Sequence, residues 1–425
     1  MLRFMNAATT IDTDLKSAVP LAEDAKVMSL VGLAHASSHF GHMLLPPLFP
    51  IFMRDFGLSF SQVGLLMTVF FVVSGVGQAL AGFVVDRVGA RSILFASVAL
   101  LCAACVLASM ATGYPWLIAV AALAGLGNAA FHPVDFTILN QRVSSPRIGH
   151  AFSVHGLTGS LGWALAPPFF VLMLWLADWR TAYLAAALLY ACVLATLLLH
   201  REKLLTVVTL RRADAVALPS DGAGFLKQPV IWWCFAFFMC STITMSMMQG
   251  YSVSLLQAVH HVSFNAATAT LTGYMLCGAL GTVTGGFVAT RFAKHSERVV
   301  ACCMTAAAAS MALASTGALG ALGTMVVLAA TGLATGIGGP SRDLMVKKAT
   351  PKGATGRVYG TVYSGFDVGS ATAPLLFGTL MDRGMTTATL LSASGVLLLS
   401  VGAAMMVARL TGAQSASPAA HSATK

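Results

Sequence analysis

The sequence predicts an all-α integral membrane protein, with twelve transmembrane helices in two parallel six-helix repeats. Three observations carry this prediction. Only 9% of the 425 residues are charged and 57% are hydrophobic, whereas a water-soluble domain carries about 25% charged residues to cover its surface. Apolar segments of about 20 residues, the length at which a helix crosses a hydrocarbon core, recur along the chain. The two halves also echo each other at a fixed separation. Such a composition excludes a disordered chain. Neither a Gly-X-Y period nor a heptad with flanking charges occurs, which excludes collagen and coiled coil.

The elements follow in order. The N-terminal tail, 1–27, carries Asp12, Asp14, Glu23 and Asp24 and lacks the apolar run of a signal peptide. Six spans fall near 28–53, 61–84, 92–112, 115–141, 148–176 and 180–199, giving an N-terminal half over 28–199. Pro46, Pro47 and Pro50 predict a broken helix near the end of the first span. A polar linker over 200–228 separates these from spans near 229–257, 265–290, 298–318, 322–348, 357–381 and 386–409. The second half is thus 229–410, followed by a tail over 411–425.

Charge orients the spans. With both termini cytoplasmic, 21 of the 25 Lys and Arg residues fall in inner tails and loops. Arg54, Arg180 and Arg383 lie outside, and Arg342 lies within a span. Cytoplasmic loops of membrane proteins carry this excess, so a multi-pass protein of a bacterial inner membrane is expected. The formal charge of +10 is a topology signal. A nucleic-acid partner would need a basic soluble face, and none is present.

The internal repeat is specific. Pro133 and Pro340, Gly149 and Gly356, Gly162 and Gly369, and Pro167 and Pro374 are each 207 residues apart. Two halves of like orientation joined by an inner linker form a parallel repeat, which can rock about a central site. The eight cysteines sit in apolar stretches, and Cys102-Ala-Ala-Cys105 has no second pair or ligand histidine, so packing is their expected role.

The run Gly82-Phe83-Val84-Val85-Asp86-Arg87-Val88-Gly89-Ala90-Arg91 follows the second span. It resembles the loop-2/3 signature of the major facilitator superfamily, and the resemblance covers residues 28–410. It implies the major facilitator fold, a small-molecule substrate and a monomer in the bilayer. It also implies a conformational latch made by Gly82, Asp86, Arg87 and Arg91, with Asp86 at the start of span 11 near Gly356. A carboxylate suits the positive N-terminal end of a helix. The second-half copy ends in Thr290-Arg291, without the acid. Ala130-Phe131-His132-Pro133, Gly149-His150-Ala151-Phe152 and Gly156-Leu157-Thr158-Gly159-Ser160-Leu161-Gly162 are similar to the fosmidomycin-resistance branch, as is His39. Two departures stand out: Val134 precedes the acid Asp135, and Ala166 precedes Pro167 where an antiporter-type motif has Gly.

Charges inside a bilayer cost about 2.5–3.5 kcal/mol each on insertion scales, so they face a cavity or a partner. Few candidates exist. Asp135 and Arg342 are 207 residues apart and carry opposite charge, so they either pair across the two halves or serve their own helices. Asp343 precedes Lys347 by four residues, the spacing of a local helix pair. Asp367 lies about ten residues, ~15 Å, into its span, with Tyr363 one turn away. His35, His39 and His42 share one helical face. His39 and His42 are expected as cavity donors or proton relays, and His35 either joins them or belongs to a polar seam that packs the first span against a neighbour. His132 and His155 complete the set. No carboxylate or cysteine on the first span completes a metal site, so neither metal nor cofactor is expected. Met245, Met247 and Met248 read as core packing.

The expectation is a non-enzymatic secondary transporter that moves a small organic solute or drug by alternating access, coupled to protons, and the histidines and Arg342 in an acid-poor cavity point to an anion. No Gly-x4-Gly-Lys-Ser/Thr motif occurs in support of ATP-driven transport. The alternatives are a fosmidomycin-type efflux antiporter, a metabolite uptake symporter and, from another class, a membrane-embedded metalloenzyme.

Overall fold

A computed structural model describes residues 19–207, 224–350 and 355–415. The side chains of Gly82, Phe83, Asp86 and Gly149 stand outside the described set, and the expected Asp86 latch therefore lies outside it as well. Among the described residues the regular structure is helical throughout, without a strand. The first part of the chain forms α1 (Leu21–His42), α2 (Phe49–Phe56), α3 (Phe60–Val88), α4 (Ala90–Ser109), α5 (Tyr114–Asn128), α6 (Phe131–Arg142), α7 (Ile148–Leu176) and α8 (Trp179–Leu199). The rest forms α9 (Pro229–His260), α10 (Phe264–Arg291), α11 (Ser296–Ser315), α12 (Gly320–Ala349), α13 (Thr355–Asp382) and α14 (Thr386–Ser415).

Ten spans among the described residues are long and apolar enough to cross a membrane, with α5 and α6 together counted as one. The other two expected spans are present as α1 with α2 and as α13. Histidines and serines make α1 more polar than its neighbours, and Asp367 lies among Ser, Thr and Gly in α13. Leu199, Trp175, Phe287 and Leu322 stand more than 70% exposed. In water such side chains would be costly; against lipid they are at home.

Two helices are interrupted. α1 stops at His42, and Pro46 and Pro47 open a short 3-10 turn before α2, as the prolines predict. The fourth span, expected over 115–141, is present over Tyr114–Arg142 and is divided into α5 and α6. Ala129 and Ala130 separate the two pieces, and Pro133 falls in the first turn of α6, where a missing N–H costs no helical hydrogen bond. Asn128, at the end of α5, turns sideways to accept from Ser38 Oγ at 2.6 Å and donate to Ser74 Oγ at 2.9 Å. Its counterpart in the repeat, Thr335, instead donates to carbonyls of its own helix at Thr331 and Gly332, and α12 continues through Pro340.

The chain gathers into two compact units. The first comprises the described residues of Met1–Leu44, Val73–Ala166 and Leu172–Ala213; the second comprises those of Leu45–Val72, Pro167–Val171 and Asp214–Lys425. In the second unit α10 packs on α12 and α13 on α9 through glycines. A Cβ at Gly281 would lie 2.5 Å from the Leu333 carbonyl oxygen, and one at Gly365 2.6 Å from that of Phe235. Such backbone-to-backbone approach is how membrane helices gain contact without a hydrophobic driving force. Val230, Phe237, Met304, Met345, Val362 and Leu397 fill the core between α9, α11, α12, α13 and α14. At the end of α13, Asp382 accepts from the Phe60 and Ser61 N–H groups at 2.6 and 2.9 Å and so caps α3.

In the first unit, Asp24 in the opening turn of α1 is fully buried and precedes the apolar span. It accepts from the Ser144 N–H at 3.2 Å, from the Ser144 hydroxyl and from Arg147 Nη1 at 2.7 Å. Burial alone would raise its pKa. The Ser144 and Arg147 hydrogen bonds overcome that and hold the carboxyl below its ordinary 3.8. A carboxyl depressed on folding stabilises the fold above its unfolded pKa, and the contribution is lost as pH falls through the folded value. Asp24→Asn is expected to cost about 1–2 kcal/mol at neutral pH, because Arg147 remains partly solvated. It is also expected to flatten the fall in thermal stability as pH drops through the lowered pKa of this carboxyl. Unfolding midpoints of wild type and variant against pH measure both effects.

Candidate functional site

The site in the first unit is built on the histidine face of α1. α7 lies directly against this face because it presents glycine there. A Cβ at Gly162 would fall 2.1 Å from the Ala36 carbonyl oxygen, and one at Gly159 would fall 2.8 Å from His39 Nδ1 and 2.9 Å from His35 Nε2. The glycine-rich segment of α7 thus makes room for imidazole rings. One residue beyond Gly162, Trp163 stacks on His39 at 4.2 Å and donates from Nε1 to His42 Nδ1 at 3.2 Å.

α6 supplies the acid. Asp135 is fully buried, and its Oδ2 lies 3.1 Å from His35 Nδ1 and 3.1 Å from His155 Nε2. The His35 and His155 rings stack at 3.5 Å, with His39 4.4 Å and His132 5.5 Å from His35. His132 Nδ1 sits 2.9 Å from Gln78 Oε1 of α3. Five histidines and one carboxylate therefore converge from α1, α6 and α7. A buried carboxylate is tolerable only when paired, and imidazole is the side chain that gains or loses a proton near neutral pH. The cluster can hold a proton between acid and base, at the hydrogen bond of His155 Nε2 with Asp135 Oδ2.

The structure places His35 at the centre of the cluster, beside Asp135, His155 and His39. The sequence already showed its shared face with His39 and His42, but nothing in it tells which way that face turns. Trp163, Gln78 and Asn128 were absent from the candidates. The signal for Gln78 and Asn128 was there, as polar amides inside apolar spans.

A second cluster lies in the second unit. Arg342 Nε donates to Asp343 Oδ1 at 2.9 Å, and Tyr363 Oη donates to the same oxygen at 3.1 Å. The guanidinium stands 4.7 Å over the Phe238 ring, which lies 4.6 Å from the Tyr363 ring. This corrects the local Asp343–Lys347 pair expected from spacing. The neighbouring Arg342 reaches the carboxylate within the helix surface, whereas Lys347 is exposed. Arg342 finds opposite charge in Asp343 of its own unit, and Asp135 lies beside two imidazoles of its own. Asp367 lies one turn from Tyr363, half-buried, and among the described residues no hydrogen bond to it is found. Of the loop residues, Arg87 is exposed, while Arg91 Nη1 donates to the Arg201 carbonyl at 3.3 Å and lies 3.7 Å from Glu202. Met247 and Met248 are buried, in keeping with packing.

Comparison with known proteins places this architecture. The uncharacterized MFS-type transporter YfnC of Bacillus subtilis (strain 168) is 24% identical over 282 residues, 63% of this chain and 66% of that protein. The fosmidomycin resistance protein of Escherichia coli (strain K12) is 25% identical over 141 residues, 33% of this chain and 34% of that protein. The alignments thus span less than two thirds of either relative, and the fosmidomycin branch is one likeness among several. Among solved structures, a bacterial homolog of the human lysosomal transporter Spinster, inward-facing and occupied, superposes with a TM-score of 0.70 at 15% identity. That match covers 94% of this chain and 100% of the other, so the fold is shared along nearly the whole length. The family model described as Major Facilitator Superfamily matches residues 31–328 and 250–424. This all-helical, multi-pass membrane chain belongs to the Major Facilitator Superfamily.

Proposed function

We propose that the protein is a secondary active transporter that moves a small organic anion by alternating access, coupled to protons. One observation carries the reading: the fully buried Asp135, shared by His35 and His155 inside a helical membrane body. With one proton on the cluster, carboxylate and imidazolium cancel. Without it, a bare carboxylate is left buried, which is costly. A solute anion near the histidines is therefore better tolerated when the cluster is protonated, and this ties solute movement to proton movement. His39, His42 and His132 are the donors that face the solute in this reading. In the second unit, Arg342, Tyr363 and Asp367 play the corresponding part.

The halves over 28–199 and 229–410 rock against each other, and Gly82, Asp86, Arg87 and Arg91 form the latch. The chain acts as a monomer in a bacterial inner membrane with both termini cytoplasmic, following the distribution of its basic residues. Neither a nucleotide nor a nucleic acid takes part. The likeness to the fosmidomycin resistance protein favours a second reading, drug export in exchange for protons.

Proteoliposomes with an imposed pH gradient, offered a panel of organic anions and drugs, test the proposal. At least one solute is expected to accumulate several-fold when protons flow with it, or to leave when they flow against it. The polarity that drives transport separates uptake from export. Flux indifferent to the gradient overturns the coupling.

A further inference from the structure

We propose that His35, Asp135 and His155 form a binding site for a zinc-type divalent cation in the first unit. Each of the three offers one ligand atom, and these atoms all lie within 4.8 Å of one another. The two imidazole–carboxylate separations are 3.1 Å. An ion bound at 2.0–2.1 Å in tetrahedral geometry needs ligand atoms about 3.3 Å apart, close to these separations, and the stacked His35 and His155 rings turn apart so that both nitrogens face it. Two imidazoles and one carboxylate are a nitrogen–oxygen set suited to zinc and its neighbours. Calcium and magnesium call for six or more oxygens, which the cluster does not provide. Three protein ligands also leave a fourth position open for water or a solute oxygen.

Independent observations point the same way. Asp135 Oδ1 and His39 Nδ1 are buried and have no hydrogen-bond partner among the described residues. His35 Nδ1 is close to Asp135 Oδ2 but not aligned to donate to it. Buried polar atoms left in this way are costly, and two imidazoles crowd a single oxygen. A cation between the rings and the carboxylate gives all three a common partner. His39 and His132 form with His35 a second group of ligand atoms within the same 4.8 Å, so further donors surround the first three. The sequence concealed this set because its members come from three helices, with His35 a hundred residues before Asp135 and His155 twenty after it.

Protons compete with metal for these lone pairs, so affinity is expected to fall as pH is lowered. The site is read without flux, and its test stands apart from that of transport. Untagged full-length protein in nanodiscs, stripped with chelator, is titrated with Co2+ and then with Zn2+. One equivalent of Co2+ is expected to bind with the visible absorption of a four- or five-coordinate ion, and Zn2+ should displace it. Asp135→Asn and His155→Ala are each expected to weaken binding at least tenfold, whereas His295→Ala, on an exposed turn, leaves it unchanged. Absence of the Co2+ bands in wild-type protein overturns the proposal, whether or not the variants fold. So does binding that survives both cluster substitutions in folded protein.

Discussion

Asp135→Asn is expected to lower proton-driven transport by about 100-fold or more, the scale on which a positioned proton-transfer group acts. The substitution keeps shape and volume, so α6 should remain packed against α1. What changes is charge. The oxygen that lies 3.1 Å from both His35 and His155 becomes part of a neutral amide. Neither imidazole then has a reason to take up a proton inside the body. Initial rates in proteoliposomes under a fixed pH gradient measure the loss. Solute exchange without a gradient supplies the control, because it needs binding and rocking but no net proton movement, and it should be far less affected. A gradient-driven rate within threefold of wild type would mean that Asp135 only holds helices together.

Gly162→Ala is expected to destabilise the fold by about 1–3 kcal/mol, the range for forcing extra volume into a packed interior. The added carbon would sit 2.1 Å from the Ala36 carbonyl oxygen, where ordinary contact is well beyond 3 Å. Both partners are backbone within helices, so no side chain can swing aside. α1 and α7 must separate, carrying Trp163 off His39. Gly156→Ala on the same helix is the matched control, since a Cβ there meets nothing within 4 Å. There the change should be neutral or slightly stabilising, because alanine favours helix more than glycine. Thermal unfolding of the two variants beside wild type compares them directly. Equal midpoints would mean that α1 and α7 yield more readily than their backbone contact implies.

The sequence made the class and most helix positions legible, because hydropathy and the spacing of polar loops report burial in lipid one segment at a time. The break after His42 was readable from Pro46 and Pro47, where a missing N–H acts locally. The break at Ala129–Ala130 was not, because Pro133 alone fits either a kinked helix or a new start. What decided between them was Asn128 reaching Ser38 and Ser74 on other helices. The same division holds for the site. Histidines and acids within apolar spans identify themselves by their cost. Their pairing depends on the rotation and depth of each helix, which no local pattern records. Asp343 illustrates this. Lys347 has the textually attractive spacing, but the carboxylate turns to Arg342 and Tyr363.

Gly159 and Gly162 give the α1–α7 contact a consequence for how such a protein can diverge. The atoms that let the two helices touch also leave space for the imidazole rings, so packing and chemistry draw on the same few positions. A lineage cannot trade one for the other there: enlarging either glycine injures fold and site together. A change of side chain at Gln78, His132 or Trp163 adds nothing at the two glycines and so leaves the α1–α7 backbone contact in place.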